Sequence, residues 1–222
     1  MDEYEFDFET LALSPDDILH EMGYRTVKPE KEVTDILYFL LDKIAPDIRP
    51  TCTFKLLNGQ ANDSSVIFDN GEVFQTGSII SRLLNGAHCF AVFAATAGQA
   101  FQTFQEEVKK ENDMLSIFIL DTIGSYIVEK TGDIMEQLLK KKIAGYRHTH
   151  RFSPGYCGWP LMDQKHLFGM LGNTPCNITL SDVYLMNPIK SISGIIGIGA
   201  NVEEKKYGCS ICQSDSCYKR KI

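Results

Sequence analysis

Thr51-Cys-Thr-Phe-Lys-Leu-Leu-Asn58, Ser64-Ser-Val-Ile-Phe-Asp69 and Glu72-Val-Phe-Gln75 are three short runs rich in β-branched and aromatic residues, and Asn70-Gly71 separates the last two. Side chains of this kind suit a pleated, half-buried surface, and Asn-Gly is a preferred turn for a tight hairpin. The predicted unit is an antiparallel meander, flanked on both sides by helical patterns.

Towards the N-terminus, Ser14-Pro15-Asp16-Asp17 combines a capping hydroxyl, a proline at the first helical position and acids in the first turn. Gly23 stands where the helix should stop, so a short helix is expected over 15–22. Val33 to Ala45 carries Ile36, Leu37, Leu40, Leu41 and Ile44 on one stripe and ends at Pro46, which predicts an amphipathic helix.

Towards the C-terminus, Ser78 to Leu84 reads as a short helix and His88 to Ala94 as a buried strand, after which Thr96-Ala97-Gly98 turns into another helix. Residues 113–143 form one long helical pattern, interrupted by Gly124 and Gly132 and therefore open to a kink. A short helix near Gln164 to Leu171 and strands at Val183 to Met186 and Ile192 to Ile198 complete the order. Strands and helices do not alternate as βα units, so the expected fold is α+β, a mainly antiparallel twisted sheet with flanking helices. The chain of 222 residues reads as one domain, with a helical N-terminal arm over 1–30 and a cysteine-rich tail over 201–222.

A formal charge of −7 leaves no broad basic surface, so nucleic acid and anionic membranes are not expected partners. The one dense basic run, Lys140 to Lys142, closes the long helix, where cations favour the carbonyl pole. No apolar run approaches a bilayer span, and the acidic start, MDEYEFDFE, lacks the order of a signal peptide, so a cytoplasmic location is expected. Seven cysteines, three of them in the last fourteen residues, fit reduced thiols or a metal better than a secreted disulfide framework.

The stretch with most chemistry is Arg151-Phe-Ser-Pro-Gly-Tyr156-Cys-Gly-Trp159-Pro160. Pro154 fixes its own φ and disfavours helix at Ser153, while Gly155 lets a ligand approach the backbone. Arg151 suits a carboxylate, and Tyr156 offers a flat face to an aromatic ring or a sulfonium. Ordinary turns also contain Pro-Gly-Tyr, and a lone tryptophan such as Trp159 commonly anchors a core or an interface.

Arg151-Phe-Ser-Pro-Gly-Tyr156 resembles the Arg-x-x-Pro-Gly-Tyr signature of the reactivation domain of cobalamin-dependent methionine synthase. Phe93-Ala-Ala-Thr-Ala-Gly98 is similar to that family's strand and turn, residues 111–128 to its long helix, and Met186-Asn-Pro-Ile-Lys-Ser-Ile-Ser-Gly194 to its C-terminal segment. The resemblance implies the activation-domain fold, binding of S-adenosylmethionine, and service to cobalamin held by a methyltransferase or other corrinoid partner. In that chemistry an inactive Co(II) corrinoid is reduced by one electron, from a reductant protein, and methylated from S-adenosylmethionine. Any catalytic part of this chain would be methyl transfer exerted in trans, by orienting two cofactors without a general base.

Carried over by position, Arg151 meets the carboxylate of the methionyl moiety, Ser153 and Gly155 offer backbone contacts, and Tyr156 faces both ligand and corrin. Ile196-Gly197 takes a second ligand-contacting place, where the family has an aromatic pair. Ser125 stands where the family helix offers a Glu to the ligand, and the N-terminal acids are either a solvated arm or a substitute for it. Trp159-Pro160-Leu161-Met162-Asp163-Gln164 replaces a Cys-Pro-Asp-His-like turn.

Cys209, Cys212 and Cys217 have spacing suited to zinc or an iron–sulfur cluster, with Cys157 or Cys176 as candidate fourth ligands; a tail of reduced cysteines and a redox-active pair are the other readings. His148 and His150 lack a third ligand at suitable spacing. The alternative function is a docking or electron-transfer module for a corrinoid protein, using these cysteines without S-adenosylmethionine.

Overall fold

The computed structural model describes residues 2–204. Its strands are β1 (Glu3–Glu5), β2 (Thr51–Ala61), β3 (Val66–Phe68), β4 (Val73–Phe74), β5 (Cys89–Thr96), β6 (Arg147–His148), β7 (Thr179–Leu180), β8 (Met186–Asn187) and β9 (Ser191–Gly199). Its helices are α1 (Pro15–Glu21), α2 (Lys31–Ile44), α3 (Gly77–Leu83), α4 (Gln99–Lys110), α5 (Met114–Lys142) and α6 (Gln164–Met170). A seven-stranded sheet in the order β4-β3-β2-β5-β9-β6, with β1 beside β2, forms the centre, and β7 and β8 make a separate pair. Every strand pairing is antiparallel.

Alternation along the two central strands explains the layers. Ala91, Phe93, Ala95, Ile196 and Ile198 face the second half of α5, where Met135 and Leu139 cover them. Phe90, Val92, Ala94 and Ile195 face the other way, onto Trp159, Leu167, Phe168 and Ile178. Because β5 is buried on both faces, it reads as an unbroken apolar run rather than as an alternating one. The first half of α5 packs Ile119 and Ile123 into a helical cluster with Ile18, Leu37, Leu40 and Phe101.

The predicted cap is present, with the Ser14 hydroxyl accepting from the Asp17 amide at 3.2 Å; a second, at the start of α5, is made by Asp113, which accepts from the Leu115 and Ser116 amides. α5 runs unbroken for 29 residues through both glycines, and each glycine is a point of close contact. Phe101 and Lys190 crowd Gly124, and Arg151 crosses Gly132.

Two expectations fail. The acidic N-terminus is not a solvated arm: Glu3–Glu5 pairs with Thr51–Thr53, Tyr4 stacks on Phe54 at 6.1 Å, and Lys142 spans to Asp2 at 3.1 Å. Aromatic alternation within the acids carries that strand. Val183–Met186 is not a strand but largely the turn between β7 and β8, closed by Ser181 N–H to Leu185 O at 2.9 Å, with Tyr184 at φ +63°. No helix among the described residues is long and apolar enough to cross a membrane.

Candidate functional site

Phe152 enters the sheet edge next to β9: its N–H donates to Ile195 O at 2.9 Å and its carbonyl accepts from Ile195 N–H at 2.8 Å. Gly194 permits this approach, since a Cβ there would strike the Phe152 carbonyl. The bridge fixes where Arg151 leaves the backbone. Its side chain, 13% exposed, lies over Gly132 and meets Glu129 at 3.1 Å, Asp133 at 3.1 Å and Glu136 at 3.2 Å. Residues 129, 133 and 136 share one face of α5, so a helix presents three carboxylates to a single guanidinium. The Nη1–Glu136 contact is electrostatic, because the two buried atoms are not aligned for a hydrogen bond. The cluster carries more negative than positive charge.

Beyond Phe152 the chain turns back on itself: Gly155 N–H donates to Trp159 O at 2.8 Å and Trp159 N–H to Tyr156 O at 2.9 Å. Positive φ at Gly155, Cys157 and Gly158 makes the turn possible. A cavity of about 210 Å³ lies between this loop, α5 and β9. Phe93, Ile80 and Ile192 form its apolar wall, and Glu129, His150, Arg151, Ser153 and Tyr156 its polar one. Tyr156 is 62% exposed at the rim. A larger groove of about 870 Å³, bordered by Asn62, Asp63, Ser78 and Arg82, contains none of these groups. The smaller cavity is the candidate site because cationic, anionic and apolar surfaces converge there.

Residues 78–221 match the family of the vitamin B12 dependent methionine synthase activation domain. The chain belongs to that family. Its fold is similar to that of the MetH reactivation domain bound to AdoHcy, with a TM-score of 0.68 and 14% sequence identity over 93% of this chain and 80% of the other. No curated protein matches the sequence.

Within this activation-domain fold, Arg151, Ser153 and Tyr156 come together on the cavity and Gly155 shapes the loop between them. Ile196 and Gly197 are not brought there: Ile196 is fully buried beneath α5, and a Cβ on Gly197 would meet Leu84 and Ala87 at 3.0 Å. Ser125 also lies off the cavity wall. Its hydroxyl donates to Asp121 O at 3.1 Å and accepts from Lys190 Nζ at 2.9 Å, while Lys190 pairs with Asp121 at 2.7 Å. The carboxylate on the cavity wall is Glu129, one helical turn further along. Sequence reading missed it, although acids at 129, 133 and 136 around Gly132 are the visible signal.

Trp159 is a core residue, 1% exposed. His148 is buried with Nδ1 at 2.8 Å from the Thr149 carbonyl, whereas His150 borders the cavity. Cys176 is buried and its amide is bound to Glu3, and Cys157 lies on the cavity wall. No group of three or more potential metal ligands occurs among the described residues, and Cys209, Cys212 and Cys217 lie outside them.

Proposed function

We propose that this activation-domain homologue binds S-adenosylmethionine at the Arg151 cavity and presents it to cobalamin on a separate methyltransferase or corrinoid protein. The observation that carries the reading is the placement of Arg151 and Glu129 side by side on a cavity that Phe93 and Ile192 also line. An amino-acid end group needs a cation for its carboxylate and an anion for its ammonium, and these two side chains offer both. Arg151 has five N–H donors in a planar fork, so a ligand carboxylate can enter its sphere while α5 retains part of it. The excess acid of the cluster favours a ligand with net positive charge, and a sulfonium adds to it.

When bound, S-adenosylmethionine supplies an electrophilic methyl group. The part of the chain is to bind and orient that group and to exclude water, with Tyr156 exposed at the rim as the flat surface towards the corrin. Ser153 and Gly155 contribute through a backbone already folded into the turn. No residue need accept a proton.

A second reading keeps corrinoid docking or electron transfer, through Cys209, Cys212 and Cys217, without the methyl donor. It is favoured by the present engagement of the Arg151 guanidinium with three carboxylates. Titration calorimetry decides. Binding of S-adenosylmethionine that is lost in Arg151→Ala and weakened in Glu129→Gln supports the first reading. No heat from the intact chain, together with metal in the purified protein and capture of a cobalamin protein, supports the second.

A further inference from the structure

The loop over the cavity has a fixing point that none of the ligand-facing residues supplies. The Trp159 indole packs 5.4 Å from the Phe74 ring, and its N–H donates to Asp163 Oδ2 at 2.8 Å. The same carboxylate oxygen accepts the backbone N–H of Gln75 at 3.1 Å. One buried oxygen thus joins the end of the loop to the segment between β4 and α3. The first residue of α3, Gly77, comes close to the loop again: its φ is +75° and an added Cβ would lie 3.0 Å from the Cys157 carbonyl. At the other end, Phe152 is held by Ile195. The chain from 152 to 159 is therefore anchored on both sides, and Ser153, Tyr156 and Cys157 lie on the cavity in between.

A carboxylate that is 8% exposed costs free energy unless donors replace its water. Asp163 has two N–H donors and belongs to none of the ion pairs recorded among the described residues. Its bonds go to two chain segments far apart in sequence, and that is the arrangement of a strut.

We propose that Trp159 and Asp163 are positioning residues for the ligand loop. They hold Ser153 to Cys157 in the binding conformation before the ligand arrives, so the cost of ordering the loop is not taken from the binding free energy. The proposal rests on the reading of the cavity as the S-adenosylmethionine site.

Trp159 is the single tryptophan of the chain, so its emission reports on this strut without a second source. In Asp163→Ala the unliganded protein is expected to emit further to the red and to be quenched more readily by acrylamide. Its affinity for S-adenosylmethionine should fall about tenfold, which corresponds to about 1.4 kcal/mol. Asp163→Asn keeps an oxygen acceptor at the same place and should restore both properties. Ile18→Val, in the helical cluster away from the loop, is the control for general destabilisation: its melting temperature should fall with affinity intact. If Asp163→Ala does not fold, Trp159→Phe removes the N–H while retaining a ring against Phe74, and the same loss of affinity is expected.

Full affinity in Asp163→Ala or in Trp159→Phe overturns the proposal, as does failure of Asp163→Asn to restore binding. Unchanged emission in Asp163→Ala overturns the strut itself. No binding by the intact chain, with the emission shift still present, removes the ligand reading and leaves Asp163 a purely structural clamp.

Discussion

Gly132 and Arg151 meet across α5: a Cβ built on Gly132 would lie 2.5 Å from Arg151 Nη1 and 3.0 Å from its Cζ. Glycine inside a helix costs about 1 kcal/mol relative to alanine, so its presence in the middle of a 29-residue helix calls for a reason of position. The reason is that the guanidinium lies directly on the helix backbone. There it reaches acids in the turns before and after Gly132.

Gly132→Ala therefore sets two effects against each other. Helix propensity favours the alanine by about 1 kcal/mol. Displacing a guanidinium that is only 13% exposed from three carboxylates, in a packed site, costs about 1–3 kcal/mol. The expected outcome is a net loss of stability in urea titration, with weaker binding of S-adenosylmethionine. A variant more stable than the parent with full affinity would show that Arg151 does not depend on this crossing.

Alkaline pH tests buried thiols on the two faces of the sheet, Cys52 on the α5 side and Cys176 on the other. Burial pushes the Cys52 thiol up to about 12 from its ordinary 9.0. Cys176 moves the same way, through burial first and then the neighbouring Glu3 and Cys52. In the unfolded chain these thiols ionise near that ordinary value, so as the pH approaches and passes it the unfolded state loses protons that the folded state keeps. Their contribution is full below about pH 8 and declines as pH rises towards 12. Tyr126, raised by burial and then by its bond to Asp17, extends the decline above pH 10. Urea midpoints measured between pH 7 and 10.5 should fall, and Cys52→Ala should flatten the fall. An equal slope in the variant would remove Cys52 as a cause.

Most of the framework was legible because it is written in local signals. Ser14 caps the helix it was expected to cap, the long pattern from 113 to 143 is one helix, and the apolar run at 88–94 falls on β5 from Cys89 onward. The N-terminal strand escaped notice because acids dominated the reading, whereas Tyr4 and Phe6 alternate with them and pack against the core cluster under α5. Residues 183–186 misled for the opposite reason: Val183 and Leu185 look like a strand but are 64% and 57% exposed.

At the site, Arg151, Ser153 and Tyr156 were legible because they are adjacent in one loop. Glu129 and Asp163 were not. Each acts through a partner more than twenty residues away, or through a backbone amide that no sequence pattern marks: Glu129 through Arg151, Asp163 through Gln75. Ser125 shows the same limit from the other side. Its alignment to a ligand-facing position cannot reveal that Lys190 and Asp121 occupy its surroundings.

Ile196 provides the last discrimination, between a residue of the ligand wall and one of the core. It is fully buried and packs with Phe93, Met135 and Leu139 between the sheet and α5, while the cavity borders Ile192 of the same strand. Ile196→Ala should cost about 2–5 kcal/mol in urea titration, the loss expected for truncating a buried aliphatic side chain where rigid neighbours leave a void. S-adenosylmethionine affinity of the folded protein, measured well below its melting temperature, should match that of the parent, because the cavity wall is untouched. A fall in affinity comparable to that of Arg151→Ala would instead place Ile196 within reach of the ligand and require the strand to shift on binding.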